Sequence, residues 1–352
     1  MVAMERARGG RLIGPGMGLS RQVEVQMYAI VVDDAHEDKR LEWLKVDAPA
    51  LKADEAAVDV HATALNRADL AQRAGNYPPP SGASEILGLE MAGTVRQLGA
   101  DAKGFSVGDR VCALLTGGGY AEQVTVPTGM LMPIPQGWTL EQAAAMPEVY
   151  FTAYLNLFME AGAKPGEAVL IHGGASGVGT AAIQLAAASG CRVYATAGTA
   201  DKCRVCSELG AEIAVNYKEE DFAARLRDHT GGDGVDVILD MVGASYLQRN
   251  VNLLGTGGRI VFIATLGGSR GELDIRKLMA KRATLKGSTL RARPLAEKLR
   301  IKQELMDRFW PHFESGRIKP VIDSVYPIQE VEQAHARMAE NRNIGKIVLK
   351  VR

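Results

Sequence analysis

The chain of 352 residues carries 41 Lys and Arg against 41 Asp and Glu, giving a formal net charge of zero, and holds four cysteines. That length suffices for two domains with a sizeable core, and the balanced charge offers no electrostatic case for nucleic acid or an anionic membrane. No apolar run reaches the length of a membrane span, and so few cysteines fit a reducing compartment, here read as cytoplasmic.

Residues 1–26, with Arg6, Arg8 and Arg11 among glycines, show no hydrophobic period. A basic start can imitate a transit peptide, but without an amphipathic pattern it reads as a disordered, dispensable extension. From Met27 to about residue 149 the pattern is of short strands and turns: 56–63, 91–98, 111–114 after the turn Val107-Gly108-Asp109-Arg110, and 120–126. This predicts a mostly-β domain over 27–149.

The stretch 168–188, AVLIHGGASGVGTAAIQLAAA, is a strand-like run, then Gly173, Gly174, Gly177 and Gly179, then an apolar helix. Glycines let a backbone turn sharply against a pyrophosphate, while the free N–H groups and positive dipole end of the helix face the anion. In the G-x-G-x-x-G register the positions are Gly174, Ser176 and Gly179, so Ser176 replaces the middle glycine. A second register, Gly177, Gly179 and Ala182, satisfies the looser pattern, and a ligand-free turn fits the motif in isolation. The phosphate-binding candidates are Gly174, Ser176, Gly177, Val178 and Gly179.

The strand 192–197 runs into Gly198 and Thr199 with no carboxylate at its tip, where NAD-preferring sites place an acid. Lys202, beside Thr199, reads as a partner for a ribose 2′-phosphate, and Tyr217, after the third strand, as a further donor. NADPH is therefore the expected cofactor. The competing readings are that Thr199 or Asp201 caps the next helix and that Lys202 is a solvated helix residue; Asp201 is the residue able to reverse the preference. Cys203 and Cys206 make C-x-x-C within that helix, with no matching pair, which reads as coincidence on a helical face.

Helix 219–228, strand 235–240, helix 246–253 and strand 259–264 continue the alternation, predicting a parallel sheet with right-handed crossovers. Val242 and Ala264, after the fourth and fifth strands, then lie along the cofactor trough. After a helix near 295–313, residues 319–326 and 344–351 are extended about a helix at 330–339. A nucleotide-binding domain over 150–290 is thus inserted into a catalytic domain of 27–149 completed by 291–352.

The segments ALNRADLAQRAGNYPPP (64–80), ILGLEMAGTV (86–95), VGDRV (107–111), IHGGASGVGTAAIQLA, NYKEEDF (216–222) and NIGKIVL (343–349) resemble, in order and spacing, the medium-chain dehydrogenase/reductase superfamily. Within it they resemble the zinc-free quinone oxidoreductases related to zeta-crystallin, above all the p53-inducible quinone reductase group, from Met27 to the end of the chain. The resemblance implies an α/β fold, a GroES-like mostly-β catalytic domain plus a Rossmann doubly wound parallel-sheet domain, and NADPH:quinone reductase activity.

In zinc-dependent members of that superfamily two cysteines and a histidine hold the catalytic metal, and four clustered cysteines a structural one. Here Asn66 stands in the region of the first ligand, Leu89 precedes Glu90 in place of a Gly-His-Glu histidine, and no cysteine cluster follows Arg110. Without thiolate and imidazole ligands a tetrahedral zinc site is not available, so no metal is expected. Feasible substrates are then already electrophilic, quinones or enones. NADPH supplies a hydride, the protein hydrogen-bonds the developing oxyanion, and water delivers the proton with no obligate general acid.

The resemblance further implies Asn66 and Tyr77 as the polar catalytic contacts, against plain readings as a turn former and a packing residue. It sets Thr152 on the nicotinamide side and Asn343 in the closing C-terminal segment, with Gly345 and Lys346 structural. Residues 283–288 match the edge strand through which members pair, implying a twofold homodimer. Two other functions fit the pattern. One is reduction of a 2-enoyl thioester, with Arg291 and Arg293 receiving the tail. The other is a non-catalytic structural or RNA-binding role, which the zero net charge and missing aromatic-basic motifs disfavour.

Overall fold

Between Glu55 and Ala64 the inward positions Ala56, Val58, Val60, Ala62 and Ala64 are at most 1 % exposed, and this alternation makes Glu55–Ala64 the central strand of a seven-stranded sheet. In the computed structural model, which describes residues 26–33, 35–36 and 38–352, its order is Ile322–Pro327, Lys346–Lys350, Glu55–Ala64, Glu90–Leu98, Arg110–Leu114, Met132–Pro133, with Gln123–Pro127 also on Glu55–Ala64. Strands from both ends of the chain therefore share one sheet, Lys346–Lys350 lying antiparallel to Glu55–Ala64. The extension assigned to residues 1–26 lies outside the described residues except for Gln26, which opens the strand Gln26–Asp33.

The second sheet has six parallel strands in the order Ile213–Asn216, Arg192–Ala197, Ala168–Ile171, Val235–Asp240, Leu254–Phe262, Thr284–Gly287. By chain position that is 3-2-1-4-5-6, the doubly wound order, whose switch point lies beside the first strand. The fifth strand begins earlier and ends earlier than its apolar run suggests. Leu254 already pairs with Val235, and after Phe262 the Ile263 N–H turns to the Asp240 carbonyl, leaving Ala264 in a loop.

The link between the sheets is helical, where the sequence pattern reads as strands and turns up to residue 149. Leu140–Ala144 and Pro147–Tyr154 are α-helices, continued by a π-helical turn over Leu155–Glu160. Val149, Tyr150, Phe151 and Ala153 are all buried, and Phe313 of the helix Leu295–Glu314 stacks edge-on against Tyr150. A helix apolar on every side has no 3.6-residue face to read.

One buried cation pins the C-terminal strand to the rest. Lys346 is 3 % exposed; its Nζ donates to the Leu65 carbonyl and to Asn66 Oδ1, both at 2.6 Å, and lies 2.6 Å from Glu90 Oε1. Three acceptors meet the three N–H donors of the ammonium. Glu90, fully buried, also accepts from Asn66 Nδ2 at 2.9 Å and, through Oε2, from the Glu148 N–H at 2.8 Å. Burial of an ion pair is tolerable when its remaining valences are met in this way. Lys346→Met should therefore cost about 3–5 kcal/mol by leaving Glu90 unpaired, measured by denaturant unfolding, and Glu90→Leu in the same chain should recover most of it. A single variant as stable as the wild type would show that the pair is not what holds this junction.

Candidate active site

The chain leaves the buried strand Ala168–Ile171 through the turn 172–176, and Ser176 caps the helix Gly177–Ala188, its Oγ accepting the Gly179 N–H at 3.0 Å. Gly179 has room for no side chain, since a Cβ there would lie 2.3 Å from the Gly173 carbonyl oxygen. Gly177 is already helical, so the turn belongs to the register Gly174, Ser176, Gly179 and not to Gly177, Gly179, Ala182. The Ser176 hydroxyl occupies one amide, while the N–H groups of Gly177 and Val178 have no carbonyl of their own helix to bond.

A buried network braces this turn. Asn250 Nδ2 donates to Asp240 Oδ2 at 2.8 Å, so its Oδ1 accepts from His172 Nε2 at 2.8 Å, and the bare Nδ1 of the ring accepts from the Thr196 hydroxyl at 3.0 Å. Burial holds the His172 imidazole below its usual range, against the pull of Asp240, which keeps the ring neutral. Asp240 Oδ1 accepts the N–H groups of Val242 and Gly243 at 2.5 and 3.0 Å, and the Val242 carbonyl takes the Gly267 N–H at 2.7 Å. The loops carrying Val242 and Ala264 are thus tied to the carboxyl ends of three adjacent strands. From the other side Gly345 bridges Ser176, its N–H donating to the Ala175 carbonyl at 2.8 Å. Gly345 has φ +76, and a Cβ would meet the Val321 carbonyl oxygen at 2.2 Å. Asn343 Nδ2 donates to the Gly345 carbonyl at 2.8 Å, so that segment is docked on the glycine turn.

At the tip of the second strand Thr199 caps the helix Ala200–Glu208, its Oγ1 accepting the Lys202 N–H at 3.3 Å. Asp201 is directed to solvent, its side chain 82 % exposed and 3.6 Å from Arg204. Lys202 Nζ donates to the Asn341 carbonyl at 2.5 Å, which leaves two N–H donors. Burial lowers its pKa, with the fields of Lys218, Arg67 and Arg337 in the same sense and Asp323 opposing. Arg337 is held by Asp323 at 2.5 and 3.0 Å, whereas Arg67 bonds the Asn341 side chain. Tyr217, 44 % exposed, hangs over Gly198, where a Cβ would approach its hydroxyl to 2.7 Å. No signal in the sequence marks Arg67 or Lys218, because each approaches Lys202 only through the fold. Cys206 is buried under Gly174, and burial pushes its thiol up to about 12, so the C-x-x-C pair is packing.

Asn66, buried at the start of the helix Arg67–Arg73, is more committed than its reading as a substrate contact implies. Besides Glu90, its Nδ2 donates to the Ala64 carbonyl at 3.2 Å, so both amide hydrogens are used inside the protein, and Oδ1 accepts from Lys346. Its N–H donates to Asp69 Oδ2 at 2.7 Å, and Tyr120 Oη adds a bond to the same oxygen at 3.2 Å. Burial still lifts the Asp69 carboxyl to about 6, and burial pushes His335, 3.4 Å from Tyr120 Oη, down to about 3.

Glu148, which the sequence reading passes over, is a lone acid in the apolar stretch MPEVYFTAYLNL, four residues before Thr152. Thr152 Oγ1 donates to its Oε1 at 3.4 Å. Burial, reinforced by Glu90 and opposed by Lys346, lifts its pKa to about 8, so the carboxyl is largely neutral at pH 7. Tyr77 lies 5.5 Å from Arg291 Cζ, and burial raises its phenol above the ordinary range. Arg291 is buried, whereas Arg293 is occupied by Glu160 at 2.5 Å and Glu297 at 3.1 Å.

Residues 52–136 match the alcohol dehydrogenase GroES-like domain family and residues 177–308 the zinc-binding dehydrogenase family. Among the described residues no three His, Cys, Asp or Glu side chains converge as a metal site. The quinone oxidoreductase of Sus scrofa is 34 % identical over 308 residues, covering 86 % of this chain and 91 % of that protein. Among solved structures, the quinone oxidoreductase of Thermus thermophilus, determined also in complex with NADPH, is 33 % identical with a TM-score of 0.79, covering 92 % of this chain and 100 % of that one. The ER cyclopropanase CurF of the curacin A biosynthetic pathway is 27 % identical with a TM-score of 0.78, covering 92 % of this chain and 99 % of that one. With a GroES-like domain, a doubly wound parallel sheet and relatives of this identity over most of its length, the chain belongs to the quinone oxidoreductases of the medium-chain dehydrogenase/reductase superfamily.

Proposed function

We propose that the protein reduces quinones with NADPH and without a metal, the quinone, NADPH and one proton giving the hydroquinone and NADP⁺. The observation that carries this reading is the content of the cleft. Asn66 and Leu89 stand where the superfamily's metal ligands would be, and beside them sits the Lys346 ammonium, bonded to Asn66 and Glu90. None of these is a thiolate or imidazole, and the one carboxylate among them is already spent on Lys346. An acceptor that is already electrophilic needs orientation and hydrogen bonds to its oxygens more than a Lewis acid.

When bound, the cofactor supplies the hydride, and the rest falls to the chain. The glycine turn suits a dinucleotide: the small residues Gly173, Gly174, Ala175 and Ser176 lead into the amides of Gly177 and Val178 at a helix start. Gly174, Ser176 and Gly179 complete that pyrophosphate seat. Gly198, Thr199, Lys202 and Tyr217, with Arg67, receive the 2′-phosphorylated ribose, and the solvent-directed Asp201 leaves that preference in place. Thr152, Val242, Ala264 and Asn343 line the path to the nicotinamide. Tyr77 contacts the acceptor, while Asn66, bonded to Lys346 and Glu90, acts as a positioning residue that holds the surrounding backbone. Glu148, neutral at pH 7, adds no negative charge against an electron-rich product.

The likeness to CurF and the buried Arg291 favour one second reading, reduction of a conjugated thioester, although Arg293 is already consumed by its carboxylates. We also propose a homodimer through the edge strand Thr284–Gly287, beside which Leu266, Ile275 and Met279 are 59, 56 and 71 % exposed. The four unpaired cysteines accord with a cytoplasmic setting; among the described residues no helix is long and apolar enough to cross a membrane.

Following NADPH oxidation with an ortho-quinone and, separately, a crotonyl thioester should show turnover of the quinone; turnover of the thioester alone would move the assignment to enoyl reduction. Lys202→Ala should weaken NADPH binding by at least about tenfold, the loss of one charge-assisted contact worth about 1.5–3 kcal/mol, and leave NADH nearly unchanged. Equal loss for both cofactors would remove Lys202 from the phosphate site. Light scattering should report a dimer that Met279→Glu weakens, and a wild-type monomer would overturn the interface.

A further inference from the structure

Arg291 joins the edge of the parallel sheet to the helix Leu295–Glu314, at the junction of the two sheets' domains. It is 4 % exposed, yet neither Nη1 nor Nη2 has a hydrogen-bond partner, and among the described residues it forms no ion pair with a carboxylate. A guanidinium carries five N–H donors and stays charged in proteins. Only Nε is used, donating to the Thr116 carbonyl at 2.8 Å. Leaving four donors of a buried cation unmatched is costly, and an orphan of that kind calls for an explanation.

The rest of the residue is held firmly. Lys298 Nζ, itself buried, donates to the Arg291 carbonyl at 2.6 Å. The Tyr77 ring covers the guanidinium from one side, and Gly117 brings bare backbone up to Nη2, at 3.5 Å from where its Cβ would be. The unbonded edge of the fork, covered from solvent in this structure, is thus fixed in place by contacts from the segments at 77, 116–117 and 298. Arg293, two residues on, is saturated by Glu160, Glu297, Ser288 and the Thr289 carbonyl. The difference between the two arginines marks Arg291 as the one arranged for a ligand.

We propose that the Nη1 and Nη2 groups of Arg291 receive the oxygen of the acceptor on which negative charge collects, so that this guanidinium takes the place of a Lewis acid in the cleft. The assignment rests on the metal-free reduction proposed above. Hydride from the bound cofactor adds at one end of the conjugated quinone, the π-electrons shift so that a pair settles on the carbonyl oxygen at the other end as an oxyanion held by the guanidinium, and one proton from solvent completes the hydroquinone. Preorganised donors of this kind act on the transition state because they need no reorientation when the charge appears.

The test compares wild type with Arg291→Lys, which keeps the charge and loses the fork, and Arg291→Met. The readout independent of turnover is 4-nitrophenol, whose phenolate absorbs in the visible: bound to the wild type it should ionise at least about one pH unit lower than in water, as beside an opposite charge. Arg291→Met should abolish that shift, lower kcat with the quinone by about 10²–10³-fold and leave NADPH binding unchanged, with added guanidinium ion restoring part of the rate. Arg291→Lys should fall between. A wild type that binds no nitrophenolate preferentially, or an Arg291→Met protein that keeps both the shift and the rate, overturns the proposal. If Arg291→Met fails to fold, the lysine variant decides, an unchanged shift and unchanged kcat counting against it. Should the wild type reduce neither quinone nor thioester, the reaction assignment falls, while the nitrophenol shift still reports whether Arg291 is an anion-holding group.

Discussion

A buried ammonium at the join of the two chain ends is the constraint around which the cleft is organised. Lys346 stands at the start of the last strand and reaches Leu65, Asn66 and Glu90, and Glu90 in turn fixes the first turn of the helix that carries Glu148 and Thr152. Removed from water, these charges are stable only together, which makes their geometry more exacting than apolar packing would be. The same contact that ties the last strand into the seven-stranded sheet thereby fixes the start of the helix Pro147–Tyr154. Glu148 feels it electrostatically: Glu90 raises its pKa and Lys346 opposes.

The glycine turn is organised by a different device, a chain of buried hydrogen bonds beneath it. Thr196, His172, Asn250 and Asp240 link three strand ends through the helix that carries Asn250, and Asp240 spends one carboxylate oxygen on two backbone amides beyond its own strand. The loops after those strands are therefore tied by hydrogen bonds at both ends. Ser176 fits this scheme. Its hydroxyl satisfies one helix amide, giving up a donor that a middle glycine would have left open in return for a capped helix.

Much of this is legible in the residues. The alternation of strand and helix over 168–287 follows from apolar runs bounded by glycine and polar caps, and the turn between the first strand and its helix from the glycines at 173, 174, 177 and 179. Other parts are not legible. The helices Leu140–Ala144 and Pro147–Tyr154 are buried from several sides and carry no amphipathic period. Lys346 reads as an ordinary structural residue, because nothing near it in the chain reveals that the distant Glu90 will neutralise it. Asn66 stands out in the sequence as a polar residue of the cleft, but only its neighbours show that its amide hydrogens are already spent.

What the amino-acid sequence by itself determined is the set of local structures and the family: periodicity, caps and turn residues act over a few positions, and they repeat wherever the same residues recur. The state of each functional side chain was decided only by the tertiary structure. Whether Glu148 keeps its proton, whether Asp201 faces solvent, and which of Arg291 and Arg293 is left with free donors depend on distant groups and on the water that packing removes. Electrostatic energies grow as that water leaves, and burial is a property of the folded chain rather than of any segment in it.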